Sequence, residues 1–129
     1  MGAGCPKVLL VEDDPLLRTF ITELLEPHGY AVESTEAADS LARVADGAAD
    51  LVLLDLGWPE ADGLELCLRM RSLPAAAGVP IVALTDLPEE SREVMAFAMG
   101  PDQYVTKPFD VSELPAAVAR HCAAAKQGA

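Results

Sequence analysis

Residues 50–63 read DLVLLDLGWPEADG. Four apolar residues, Leu51 to Leu54, stop at a carboxylate, Asp55, and Gly57, Pro59 and the Asp62-Gly63 pair follow as loop and turn signals. An apolar run of that length without polar alternation predicts a strand buried on both faces, as in a parallel sheet covered by helices. In such sheets ligands and chemistry collect just beyond the carboxyl ends of the strands. Asp55 therefore stands where a functional residue is expected. The plain alternative is an Asp that only ends a strand and opens a turn, and the other strand ends decide between the two.

Working outward, Val8 to Val11 is a first apolar run that ends in Glu12-Asp13-Asp14. Asp14 suits a helix N-cap with Pro15 at the first helical position. Leu16, Leu17, Phe20, Ile21, Leu24 and Leu25 then recur at helical spacing, which predicts one broad buried face. Pro27 and Gly29 end this helix. Tyr30 to Glu33 reads as a short second strand. A second helix is expected over about Ala37 to Ala45, with Leu41, Val44 and Ala45 as its stripe, closed by Asp46-Gly47.

Downstream, a third helix is expected after Asp62-Gly63, with Leu64, Cys67, Leu68 and Arg71 on one face. Val79 to Leu84 is a fourth strand ending at Thr85-Asp86. Pro88-Glu89-Glu90 opens a fourth helix, its acids complementing the positive helix end, and Gly100-Pro101 stops it. Gln103 to Thr106 is a fifth strand ending at Lys107-Pro108. A fifth helix is expected over roughly Val111 to Ala124, with Leu114, Val118 and Cys122 inward and an alanine-rich tail that frays. Strands alternating with helices at this short spacing predict an α/β fold, a single doubly wound, five-stranded parallel sheet with helices on both faces.

At 129 residues the chain is one domain by the usual length prior, able to bury roughly two-thirds of its unfolded surface. No apolar run approaches the ~18 residues of a membrane span, and the N-terminus MGAGCPK carries no long apolar segment of the secretory type. Nine basic against 21 acidic residues give a net charge of −12, which disfavours direct binding to nucleic acid or to an anionic membrane. The field suits a soluble protein that binds cations or basic protein surfaces. Cys5, Cys67 and Cys122 show no CxxC spacing and no metal-type pairing with His28 or His121, so a reducing, cytoplasmic compartment is expected.

The carboxyl ends together present Glu12, Asp13 and Asp14 after strand one, Asp55 after strand three, Thr85 after strand four and Lys107 after strand five. In a parallel sheet these ends share an edge. Converging carboxylates repel one another and call for a cation. Hard oxygen ligands suit Mg²⁺, which takes one or two carboxylates, waters and a phosphate oxygen. A lysine and a threonine hydroxyl complete a phosphate-binding set, and the chemistry implied is phosphoryl transfer.

At this point the chain resembles the receiver domain of two-component response regulators, the CheY-like superfamily, over about residues 7–124. The motifs that carry the likeness are VLLVEDD, LVLLDLGWPEADG, IVALTD and DQYVTKPF, in that order. Each alone is weak, and the four together are highly specific. The resemblance implies a flavodoxin-like sheet of order 2-1-3-4-5, an N-terminal extension over 1–6 and a C-terminal tail over 125–129. By position, Asp55 matches the phosphoacceptor, which takes its phosphoryl group from a histidine kinase or histidine phosphotransfer protein. Asp13 and Asp55 match Mg²⁺ ligands, with Glu12 acting through water and Gly57 offering its backbone carbonyl. Lys107 pairs with Asp55, Thr85 receives a phosphoryl oxygen, and Tyr104 matches the switch aromatic that turns inward as Thr85 moves. The Lys107-Pro108 bond is cis in such domains. Implied partners are the phosphodonor, a downstream effector or output domain, and a second copy through the face of the fourth helix, fifth strand and fifth helix.

The chain departs from the family pattern at Asp86, at Gly57 and at Pro101, which stands where Ala is usual after the glycine. Asp86 follows Thr85 where a small residue is usual, and adds a like charge near the incoming phosphoryl group. Gly57 is smaller than the residue often found two positions after the phosphoacceptor, which opens the site to water. Trp58 is a large ring beside the site. Asp86, Gly57 and Trp58 are therefore expected modulators. A rival reading is a degenerate receiver that binds protein partners independently of phosphorylation. A second rival, an enzyme on the same fold, finds no GxxxxGK[ST], no GxGxxG after strand one and no DxDx pair at Asp55.

Overall fold

The computed structural model describes residues 6–47, 49–56, 60–86 and 100–128, with backbone alone at 60–61 and 123–128. Its strands are β1 (Lys7–Val11), β2 (Ala31–Thr35), β3 (Leu51–Asp55), β4 (Ile81–Thr85) and β5 (Gln103–Thr106). They form one parallel sheet of order β2-β1-β3-β4-β5, as the resemblance implies. Its α-helices are α1 (Pro15–Leu25), α2 (Ala37–Ala45), α3 (Glu60–Arg71) and the C-terminal α4 (Glu113–Gly128). The helix expected from Pro88, together with Gly57 and Trp58, lies outside the described residues. No described helix is long and apolar enough to cross a membrane.

Side chains alternate across the sheet with the strand period of two. Val8, Leu10, Leu51, Leu53, Val82, Leu84 and Val105 meet Ile21 and Leu25 of α1 and Leu114, Ala117 and Val118 of α4. Leu9, Val11, Val52, Leu54, Ile81 and Ala83 meet Val44 of α2 and Cys67 and Met70 of α3 on the other face. Each fully buried leucine contributes about 2–3 kcal/mol of transfer free energy, so two dry faces hold the sheet between its helices.

Several expectations are corrected. On α1 only Ile21 and Leu25 are buried; Leu16 is 81% exposed and Phe20 43%. The apolar stripe on α1 is wider than the arc the sheet can cover, so its edge stays in solvent. Ala45 is exposed and Ser40 is buried on α2, where Ser40 Oγ donates to the Ala37 carbonyl and so satisfies itself locally. Leu68 is exposed, and Met70 takes the inward position on α3.

The Asp62-Gly63 pair is not a turn before α3 but lies within it. A Cβ on Gly63 would sit 2.3 Å from the Leu56 carbonyl oxygen, so only glycine lets the helix approach that backbone. The final helix runs through Gly128 rather than stopping near Ala124.

Candidate active site

Register brings the functional residues together. Val11 pairs with Leu54, Asp55 with Leu84, and Thr85 with Thr106. The residues one step beyond those strands, Glu12 and Lys107, therefore flank Asp55 and Thr85 on the same edge. Backbone hydrogen bonds extend the order past the strand ends: Glu12 N donates to Thr35 O, Leu56 N to Leu84 O, and Lys107 N to Thr85 O. The Lys107-Pro108 bond is cis, as the resemblance implies.

Lys107 Nζ lies 3.1 Å from Asp55 Oδ1 and 3.0 Å from Oδ2, with the Asp55 side chain only 8% exposed. Burial pushes the Lys107 ammonium down, but the hydrogen-bonded Asp55 carboxylate, with Asp86 and Glu12 behind it, outweighs this and holds its pKa above the ordinary value. Thr85 is fully buried at the end of β4. Tyr104 is half-buried, its ring packed against the core on the α2–α3 face of the sheet.

Glu12 is buried, and one of its oxygens, Oε2, accepts from Asp14 N at 3.0 Å. The other, Oε1, is buried without a hydrogen-bond partner. Burial, followed by the neighbouring Asp55 carboxyl, pushes the Glu12 pKa up to about 8. A buried carboxyl oxygen without a donor, beside a second carboxylate, fits a hard cation. Among the described residues no group of three or more His, Cys, Asp or Glu converges to hold a metal. Glu12 and Asp55 alone suit an ion that takes one or two carboxylates and completes its shell with other oxygens, the coordination typical of Mg²⁺.

Asp13 has a tie that the sequence did not reveal. Its Oδ1 accepts from Ala37 N at 2.9 Å, the first N–H of α2, across 24 residues. Asp14 caps α1 as expected, accepting from Leu16 N at 2.9 Å. Asp86 is exposed, with Oδ2 3.7 Å from Lys107 Nζ. His28 lies exposed in a 3-10 turn, and His121 Nε2 is 2.8 Å from Gln103 Oε1, away from this edge.

The chain is similar to transcriptional regulators of several bacteria. It is 39% identical over 114 residues to the phosphate regulon transcriptional regulatory protein PhoB of Rhizobium meliloti, covering 88% of this chain and 50% of that protein. It is 36% identical over 116 residues to the DNA-binding dual master transcriptional regulator RpaA of Synechocystis sp., covering 88% of this chain and 47% of that protein. The chain thus spans about half the length of the curated relatives it matches. Among solved structures, the receiver domain of the sensor histidine kinase PA1611 from Pseudomonas aeruginosa, with a magnesium ion coordinated in its active site cleft, superposes with a TM-score of 0.80 at 29% identity. That match covers 94% of this chain and 99% of the other. Residues 8–119 match the pattern of the response regulator receiver domain, and the chain belongs to that family.

Proposed function

We propose that this domain is a phosphorylation switch in which Asp55 accepts a phosphoryl group from a histidine kinase or histidine phosphotransfer protein. The observation that carries the reading is the contact of Lys107 Nζ with both Asp55 oxygens, beside the buried Glu12. It holds a poorly solvated carboxylate in one orientation at the open edge of the sheet. In the transfer an Asp55 oxygen attacks phosphorus and a new P–O bond forms. The P–N bond to the donor imidazole breaks, and the nitrogen keeps the bonding pair and takes up a proton.

Asp13 and Asp55, with the backbone carbonyl of Gly57 and with Glu12 acting through a water, would hold Mg²⁺, which would supply neutralising charge to the phosphoryl oxygens. Lys107 then shifts from Asp55 to a phosphoryl oxygen, and the Thr85 hydroxyl donates to another. The product, an acyl phosphate, carries roughly two negative charges where the carboxylate carried one. Movement of Thr85 draws Tyr104 further inward and biases the face of β5 and α4 toward an effector, an output domain or a second copy. The domain acts as a cytoplasmic switch, and its only chemistry is on its own aspartate.

The test is incubation with Mg²⁺ and phosphoramidate, followed by intact mass, beside Asp55→Asn. A gain of one phosphoryl group that the variant lacks is the expected result. Trp58 fluorescence should also respond to Mg²⁺ and to beryllofluoride, an acyl phosphate mimic. A Mg²⁺ response with neither mimic binding nor phosphoryl gain would make the chain a phosphorylation-independent binding module.

A further inference from the structure

One carboxylate at this edge, Asp86, takes no part in the transfer to Asp55. The Asp86 side chain is 64% exposed, and its Oδ2 lies 3.7 Å from the same Lys107 nitrogen that holds Asp55. Lys107 thus stands between a sheltered carboxylate and one at the mouth of the site. Asp86 and Lys107 also line an adjoining groove of about 410 Å³, with Leu17, Phe20, Pro108 and Phe109. Among the described residues its charged lining is one cation and one anion, in a chain of net charge −12. The described lining residues carry no surplus positive charge that would draw in a small polyanion.

We infer that Asp86 selects phosphodonors by charge, disfavouring small dianionic acyl phosphates relative to P–N donors of lower negative charge, the bond type of phosphohistidine. The inference rests on Asp55 as the phosphoacceptor. Coulomb repulsion scales with the product of the charges, so a dianion is opposed twice as strongly as a monoanion at the same place. Exposure of Asp86 makes the effect sensitive to salt. Asp86 also competes for Lys107, but that competition slows every donor alike, so the ratio between donors isolates the charge effect.

The experiment compares initial rates of Asp55 phosphorylation in the parent, Asp86→Asn and Asp86→Glu, with acetyl phosphate (a dianion) and phosphoramidate (a monoanion), in Mg²⁺ at low and high salt. Asp86→Asn should raise the acetyl phosphate rate on the order of tenfold and the phosphoramidate rate about threefold. The donor ratio should shift by about threefold, less at high salt, while Asp86→Glu keeps the parental ratio. An equal rise with both donors, or no change, overturns the inference while leaving Asp55 as the acceptor. Failure of every protein to label with either donor overturns the Asp55 reading and the inference with it.

Discussion

Gly63 of α3 lies against the backbone of Leu56, the residue after Asp55, so closely that a Cβ at position 63 would sit 2.3 Å from the Leu56 carbonyl oxygen and 2.5 Å from its Cα. The obstruction is backbone, which cannot rotate away as a side chain can. Gly63→Ala should cost about 1–3 kcal/mol, the range for overpacked sites, even though alanine is the better helix former. A fall in the urea midpoint with an unchanged m-value would confirm it; a more stable variant would mean that α3 can shift outward freely.

Glu12 predicts a pH dependence. Its folded pKa of about 8 lies above the ordinary 4.5, so the folded state binds this proton more tightly than the unfolded chain. The stabilisation is complete below about 4.5 and is lost as pH rises toward about 8. Thermal melts in a chelator should show the melting temperature falling across that window from this group. Mg²⁺ should flatten the fall by pairing with the ionised carboxylate, and Glu12→Gln should remove most of it. A melting temperature that rises steadily through the window in chelator would contradict the assignment.

Asp13 predicts a helix effect far from it in sequence. Glu36 stands at the N-cap position of α2 but makes no side-chain capping bond, and Asp13 Oδ1 serves the Ala37 N–H instead. Asp13→Ala should therefore cost about 1 kcal/mol in the absence of metal, the usual loss for a cap, and hydrogen exchange at the Ala37 amide should quicken. Unchanged protection at Ala37 would show that the bond contributes nothing.

Arg71 was legible only as a position on the face of α3. In the folded chain its Nε donates to Gly100 O at 2.9 Å and its Nη1 to Val79 O at 2.8 Å, while Nη2 pairs with Asp102. Asp102 Oδ2 in turn accepts from Ile81 N at 2.7 Å. The guanidinium ties the end of α3 to the starts of β4 and β5, on the sheet edge opposite Asp55. Arg71→Met leaves two part-buried carbonyls without donors and should cost about 2–4 kcal/mol. The initial rate of phosphoryl uptake should stay near the parent value. A large loss of that rate in a still-folded variant would show that the two edges are coupled.

Much of this was readable from local rules. The apolar runs that stop at Glu12, Asp55, Thr85 and Lys107 announced buried parallel strands with their chemistry at one edge, because strand periodicity and turn residues act over a few positions. Asp14 and Pro15 announced the start of α1 for the same reason. The stripe on α1 was over-read, since Leu16 and Phe20 share the helix spacing of Ile21 and Leu25 but lie beyond the sheet that covers them.

What the sequence by itself determined is the order of elements and which residue types meet at the carboxyl edge, because both follow from short-range patterning and the connection rules of parallel sheets. What only the tertiary structure decided is the set of contacts between residues distant in the chain. Arg71 reaching Asp102, Asp13 serving α2, and Gly63 seated on Leu56 are such contacts. They depend on strand register and helix approach measured in tenths of an ångström, and no local propensity encodes a distance between parts of the chain that meet only when the core is packed.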